Sequence, residues 1–112
     1  MWIFTTSGFF SVVAYDPKKG KSTFDEPHVL VRARALSDLD ALVGKHGLTA
    51  RIDEDRRGDY HHRMVIPQTQ WAEILTREAT DIDYNNFKSA VGDDEHHNLY
   101  MKVWAVMREL QH

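Results

Sequence analysis

The sequence predicts an α+β fold: an N-terminal antiparallel β-meander, one helix, a further strand or strand pair, then C-terminal helices packed on one face of the sheet. Three observations carry this. Aromatic and β-branched residues crowd both sides of Ser7-Gly8 within the first fifteen positions, the pattern of a β-hairpin. Residues 28–35 alternate strictly between the two sides of a strand. After Pro67 the apolar spacing changes from every second residue to every third or fourth, and strands followed by helices define the α+β class.

The hairpin strands are expected at about residues 2–6 and 9–15, joined at Ser7-Gly8. Asp16-Pro17-Lys18-Lys19-Gly20-Lys21 combines turn residues with like charges, which makes it an exposed loop. Over 28–35, Val29, Val31, Ala33 and Ala35 share one side, and Leu30, Arg32 and Arg34 the other. Ser37 is placed to cap a helix, with Asp40 three residues on; Leu39, Leu42, Val43 and His46 form its inner face and Gly47 stops it. Residues 49–52 suit a short edge strand, residues 53–58 a charged loop, and 59–66 a strand. In that strand Tyr60, His62, Met64 and Ile66 share one side, with Asp59, His61, Arg63 and Val65 on the other.

Beyond Pro67, Thr69 suits the cap of a helix striped by Trp71, Ile74, Leu75, Ala79 and Ile82. Asp83 suits the cap of a short helix containing Tyr84, Phe87, Ala90 and Val91. Asp93 or Asp94 opens the last helix, to about Gln111. Its stripe of Leu99, Val103, Val106 and Leu110, widened by Tyr100, Trp104 and Met107, is expected to pack across the sheet.

At 112 residues with 42% hydrophobic and 28% charged side chains, the chain reads as one globular domain, residues 1–112. Zero cysteines remove disulfides, thiolate chemistry and Cys-ligated zinc, and fit a cytoplasmic setting. The apolar N-terminus lacks a basic flank and is interrupted by Thr5-Thr6-Ser7-Gly8, unlike a signal peptide. A net charge of −3 gives no global attraction to nucleic acid. Charge is near balance over 1–67 and acidic over 68–112, so an anion-binding surface belongs to the first part.

No Gly-x-Ser-x-Gly, P-loop or Gly-x-Gly-x-x-Gly occurs, so no catalytic residues are assigned and an enzyme is not the expected reading. Seven histidines are present, but His61-His62 and His96-His97 are adjacent pairs whose side chains diverge on a strand or a helix. No metal and no cofactor are expected. His62 reads better as a core histidine than as a general base, since no nucleophile or orienting carboxylate accompanies it. In Arg57-Gly58-Asp59 the glycine reads as a turn residue.

Two binding readings remain. Twelve aromatics in the chain, three of them Trp, exceed what a small core readily hides, which points to protein–protein interaction or self-association as a homodimer. Alternatively, Arg32 and Arg34 on one strand, with His61 and Arg63 on another, form a basic sheet face for an anion or for nucleic acid stacked on Phe9 or Tyr15. The simplest competitor has these arginines solvated and paired with Asp53, Glu54 and Asp55. A histidine-based or metal-dependent enzyme is third.

The opening Met1-Trp2-Ile3-Phe4-Thr5-Thr6-Ser7-Gly8-Phe9-Phe10-Ser11-Val12-Val13 resembles a family of small uncharacterised bacterial proteins beginning M-W-x-F-T-x-x-G-F-F-S-V-V. Val31-Arg32-Ala33-Arg34, Trp71-Ala72 and Ile82-Asp83-Tyr84-Asn85-Asn86-Phe87-Lys88 extend the resemblance through most of the chain. It implies the whole domain and no activity, cofactor or site residue.

Overall fold

The computed structural model describes residues 1–15, 24 and 26–111; the expected loop at 16–21 lies outside them, as does His112. Five strands form one antiparallel sheet: β1 (Trp2–Phe4), β2 (Phe9–Ala14), β3 (His28–Ala33), β4 (Asp53–Glu54) and β5 (His62–Pro67), in the order β1-β2-β3-β5-β4. The meander β1–β3 is therefore real. Helix α1 (Leu36–His46) carries the chain from β3 to the far edge, and β5 returns to pair with β3.

Register explains which side is buried. Val31 lies opposite Val12 and Met64, and Val29 opposite Ile66. These residues, with Phe10 and Ala33, form one apolar side. Helix α1 and helix α2 (Gln68–Thr80) both contact β3 and β5 and supply Leu39, Leu42, Trp71 and Ile74 to the same core. Phe10, Val31, Ala33 and Leu39 are completely buried, and each such side chain contributes about 1.5–3 kcal/mol when large.

Helix starts depart from expectation. Ser37 does not cap α1: the cap position is Ala35, without a side-chain bond. Asp38, in the first turn, is buried and accepts a hydrogen bond from the Phe9 amide at 3.0 Å. Thr69 does not cap α2 either. Pro67 holds that position, and the Gln68 amide donates to the Pro27 carbonyl at 3.0 Å. At α2 a distant carbonyl thus takes the place of a local cap, while the Asp38 carboxylate ties α1 to β2. Gly47 does stop α1, at φ 61, a left-handed conformation that glycine adopts without strain.

Strand boundaries moved as well. The edge strand is at Asp53–Glu54 rather than 49–52, so part of the expected charged loop is sheet. The β5 strand begins at His62, and Tyr60 and His61 precede it. Of the α2 stripe, Trp71 and Ile74 are buried; Ala79 is exposed, as is Ile82, which follows the helix.

The chain divides into two compact units, Met1–Ile82 and Asp83–His112. In the second, Asn86 rather than Asp83 caps the short helix α3 (Phe87–Ala90), accepting from Ser89 N. Asp93 caps α4 (Asp94–Met107) through His96 N, and that bond holds the Asp93 carboxyl below its usual pKa. Tyr100 is buried and stacks on Phe87, with ring centroids 5.7 Å apart. Val103 is half-buried, and the rest of the expected stripe, Leu99, Trp104, Val106, Met107 and Leu110, is exposed. Their helical spacing was read correctly as a face, but that face is not covered.

Candidate functional site: a basic, aromatic sheet face

The side of the sheet away from α1 and α2 is the outer face. Register aligns Trp2, Ser11, Arg32, Arg63 and Asp53 in one row across all five strands. Residues opposite each other point the same way, so this row lies on the outer face, joined by Phe4 and Phe9 two residues along. The expected pairing of Arg32 with Arg63 on one face is therefore met.

Tyr60 holds the arginines together. Its buried ring lies under the Arg32 guanidinium at 4.8 Å and the Arg34 guanidinium at 4.5 Å. Its carbonyl accepts from Arg63 Nη2 at 3.4 Å. Strand alternation had assigned Tyr60 to the apolar side with His62 and Met64. That assignment fails because residues 58–61 are bends rather than strand, so the two-residue alternation does not reach Tyr60. The ring turns outward and supplies the aromatic element that parity could not locate.

The loop before β5 is shaped around Arg63. A Cβ on Gly58 would stand 3.0 Å from Arg63 Nη2, so a side chain there would displace the guanidinium. The Gly58 amide donates to the Asp55 carbonyl at 3.3 Å, tightening this turn. Gly58 thus serves a turn, as the reading of Arg57-Gly58-Asp59 required.

The arginines are tethered without being neutralised equally. Arg32 Nη2 donates to Ser11 Oγ at 2.8 Å and Arg34 Nη1 to the Asp59 carbonyl at 2.9 Å. Arg63 alone of the three has an ion pair among the described residues, at 3.6 Å from Asp55. Of the other acids expected to pair with this face, Asp53 binds Arg51 and Glu54 binds Arg56. Arg32 Nε and Arg63 Nε are both buried without a hydrogen-bond partner. His61 is exposed and contacts the ring of His62; no contact joins it to the three arginines. His62 is half-buried beside Ala33 and Glu54 in register.

The aromatic side chains continue the cluster toward the β1 edge. Phe9 lies 6.5 Å from the Tyr60 ring, 4.6 Å from Phe4 and 6.0 Å edge-on from Trp2. Trp2 is 71% exposed. Tyr15, the other expected stacking residue, instead contacts Phe24.

No family model, curated protein or solved structure matches this chain. Its chemistry is therefore argued from the residues alone.

A second polar cluster bridges α1 and α2. His46 Nε2 lies 2.8 Å from Glu78 Oε1, and Lys45 Nζ 3.1 Å from the same oxygen. Burial pushes the Glu78 carboxyl up, but hydrogen bonds from His46 and Lys45 outweigh it and hold it below its ordinary pKa. The hollow beside them, lined by His46, Leu48, Gln70, Glu73, Ile74 and Arg77, has a volume of about 120 Å³. That falls short of the roughly 300 Å³ at which organic-ligand pockets begin. Among the described residues, no three His, Asp or Glu side chains are grouped to hold a metal ion. No helix among them is long and apolar enough to cross a membrane.

Proposed function

We propose that this is a non-catalytic binding domain whose outer sheet face holds an anion, phosphate or carboxylate, between Arg32, Arg34 and Arg63. The observation that carries the reading is the direct opposition of Arg32 and Arg63 in the β3–β5 register. Like charges directly opposite each other destabilise a sheet, and here each leaves its Nε buried and unpartnered. A bound anion offsets the like-charge cost, because guanidinium groups take oxyanions through charge-assisted hydrogen bonds. Tyr60 holds Arg32 and Arg34 in place before the ligand arrives, which reduces the ordering cost of binding. The cysteine-free composition suits a cytoplasmic setting.

The test is calorimetric titration with inorganic tripolyphosphate at low ionic strength. The wild type is expected to bind saturably, and the variant carrying Arg32→Gln, Arg34→Gln and Arg63→Gln to lose binding while keeping its circular dichroism. Equal affinity in the folded triple variant removes this face from consideration, and no binding by the wild type removes the anion reading.

Self-association is the second reading, and one observation favours it. Leu99, Val106 and Leu110 line one side of α4 and the following turn at Arg108–Leu110, exposed together with Trp104 and Met107. A contiguous apolar stripe of this kind fits a second copy of the same helix. Sedimentation should then show a species of twice the 13.0 kDa chain mass, lost in Val106→Asp. A single monomeric species at every concentration contradicts it.

A further inference from the structure

Resting on the anion-binding reading, we propose that the ligand of the outer face is single-stranded nucleic acid, its phosphates on the arginines and its bases on the aromatic side chains of β1 and β2. The row Trp2-Ser11-Arg32-Arg63-Asp53 runs across all five strands. A tryptophan ring stands at one end, two guanidinium groups follow, and the Asp53 carboxylate at the other end is paired with Arg51. With neighbouring strands about 4.8 Å apart, the ring lies two strands, roughly 10 Å, from Arg32 along the sheet. Between them the rings of Phe4, Phe9 and Tyr60 form a continuous series of contacts. A rigid basic surface interleaved with rings matches the two repeating chemical parts of a single strand, the charged backbone and the flat base.

Each alternative ligand leaves part of this surface unused. An inorganic or metabolite anion engages the arginines but gives no reason for a 71% exposed Trp2 beside Phe9. An acidic peptide supplies carboxylates without flat groups to stack. Duplex nucleic acid has the phosphates, but its bases are paired and stacked on each other, out of reach of the rings. An unpaired strand presents both groups together and repeats them along its length, as the series of rings and guanidinium groups does, whereas a single nucleotide offers one base. Base selectivity is expected to be weak, because every base offers a π-face to a ring.

The experiment measures fluorescence anisotropy of labelled twelve-nucleotide oligo-dT and oligo-rU, with tripolyphosphate affinity measured in parallel. Engagement of three phosphates predicts a log–log salt slope of about −2, from about 0.7 per phosphate on single strands. Trp2→Ala should weaken oligonucleotide binding about five- to 150-fold and leave tripolyphosphate affinity within about twofold, whereas Trp2→Phe should retain most of the oligonucleotide affinity. Because Trp2 is exposed, neither variant is expected to unfold. If tripolyphosphate binds and Trp2→Ala leaves oligonucleotide affinity unchanged, the nucleic-acid proposal falls and the anion reading stands. Tighter binding of an oligoglutamate peptide than of either oligonucleotide likewise overturns it in favour of an acidic protein partner. If neither tripolyphosphate nor oligonucleotide binds, both fall.

Discussion

Gly8→Ala should destabilise the protein by about 2–4 kcal/mol, and the reason is proximity rather than backbone conformation. Gly8 does not adopt a positive φ; among the described residues Gly47 alone does. A Cβ at position 8 would instead stand 2.6 Å from both Cβ and Cγ of Asp38 and 3.0 Å from its Oδ2. Asp38 cannot swing away without cost, since the Phe9 amide donates to that carboxylate at 3.0 Å. Nor is Gly8 itself free to retreat. Its carbonyl accepts from Thr5 N at 2.8 Å, and its amide donates to Thr5 Oγ1 at 3.1 Å. Forcing a methyl into a filled site costs about 1–3 kcal/mol, and weakening a buried charge-assisted hydrogen bond adds about 1.5 kcal/mol. Urea unfolding followed by the fluorescence of buried Trp71 measures the change. At a mid-range slope of about 2 kcal/mol per M, the midpoint should fall by about 1–2 M. A midpoint within about 0.3 M of wild type refutes the packing argument. Asp38→Ala provides an internal control, because the double variant should lose less than the sum of the single losses when the two sites share one contact.

Trp104→Ala should cost under about 1 kcal/mol, since this ring is 46% exposed and lies beside the flanking cations Lys88 at 4.1 Å and Arg108 at 5.2 Å; a loss of about 3 kcal/mol in urea unfolding would mean that it is core. Glu78 titrates below its ordinary value of 4.5 in the folded protein, so its contribution to stability is complete above about pH 4.5 and fades as the pH falls through the lower folded value. Glu78→Gln should therefore flatten the dependence of the urea midpoint on pH on the acid side of the ordinary carboxylate range, and an unchanged slope contradicts a paired Glu78.

Much of the architecture is legible in the sequence, because alternation and helical spacing report burial directly. The β1–β3 meander, α1 with its Gly47 stop, α2 and α4 can all be read that way. The failures share a physical cause: they occur where a distant partner replaces a local one. Ser37 and Thr69 are good caps by composition, yet Asp38 is recruited by the Phe9 amide and Gln68 by the Pro27 carbonyl. For α4 the spacing identifies a face correctly and says nothing of whether anything covers it. At the candidate site, alternation groups Arg32 with Arg34 and Arg63 with His61 strand by strand; it takes the β3–β5 register to set Arg32 and Arg63 on a common face. Tyr60 was misplaced by the same rule, since the chain bends just before β5. The one available signal was Gly58 two residues upstream, which marks the interruption of the strand without saying where the ring goes. His61, one residue from Arg63's strand start, suffers the same break and joins no contact with the arginines.

Arg32 and Arg63, opposed in register on the outer face, are held ready for an anion. This is tested most directly by following the arginine Nε–H resonances in a ¹H–¹⁵N correlation spectrum while tripolyphosphate is added at low ionic strength. The account predicts saturable downfield shifts of the Arg32 and Arg63 Nε–H signals, accompanied by the Ser11 and Tyr60 amides, with Arg51 and Arg56 unmoved. Shifts that are absent, or spread evenly over all arginines without saturation, would contradict it.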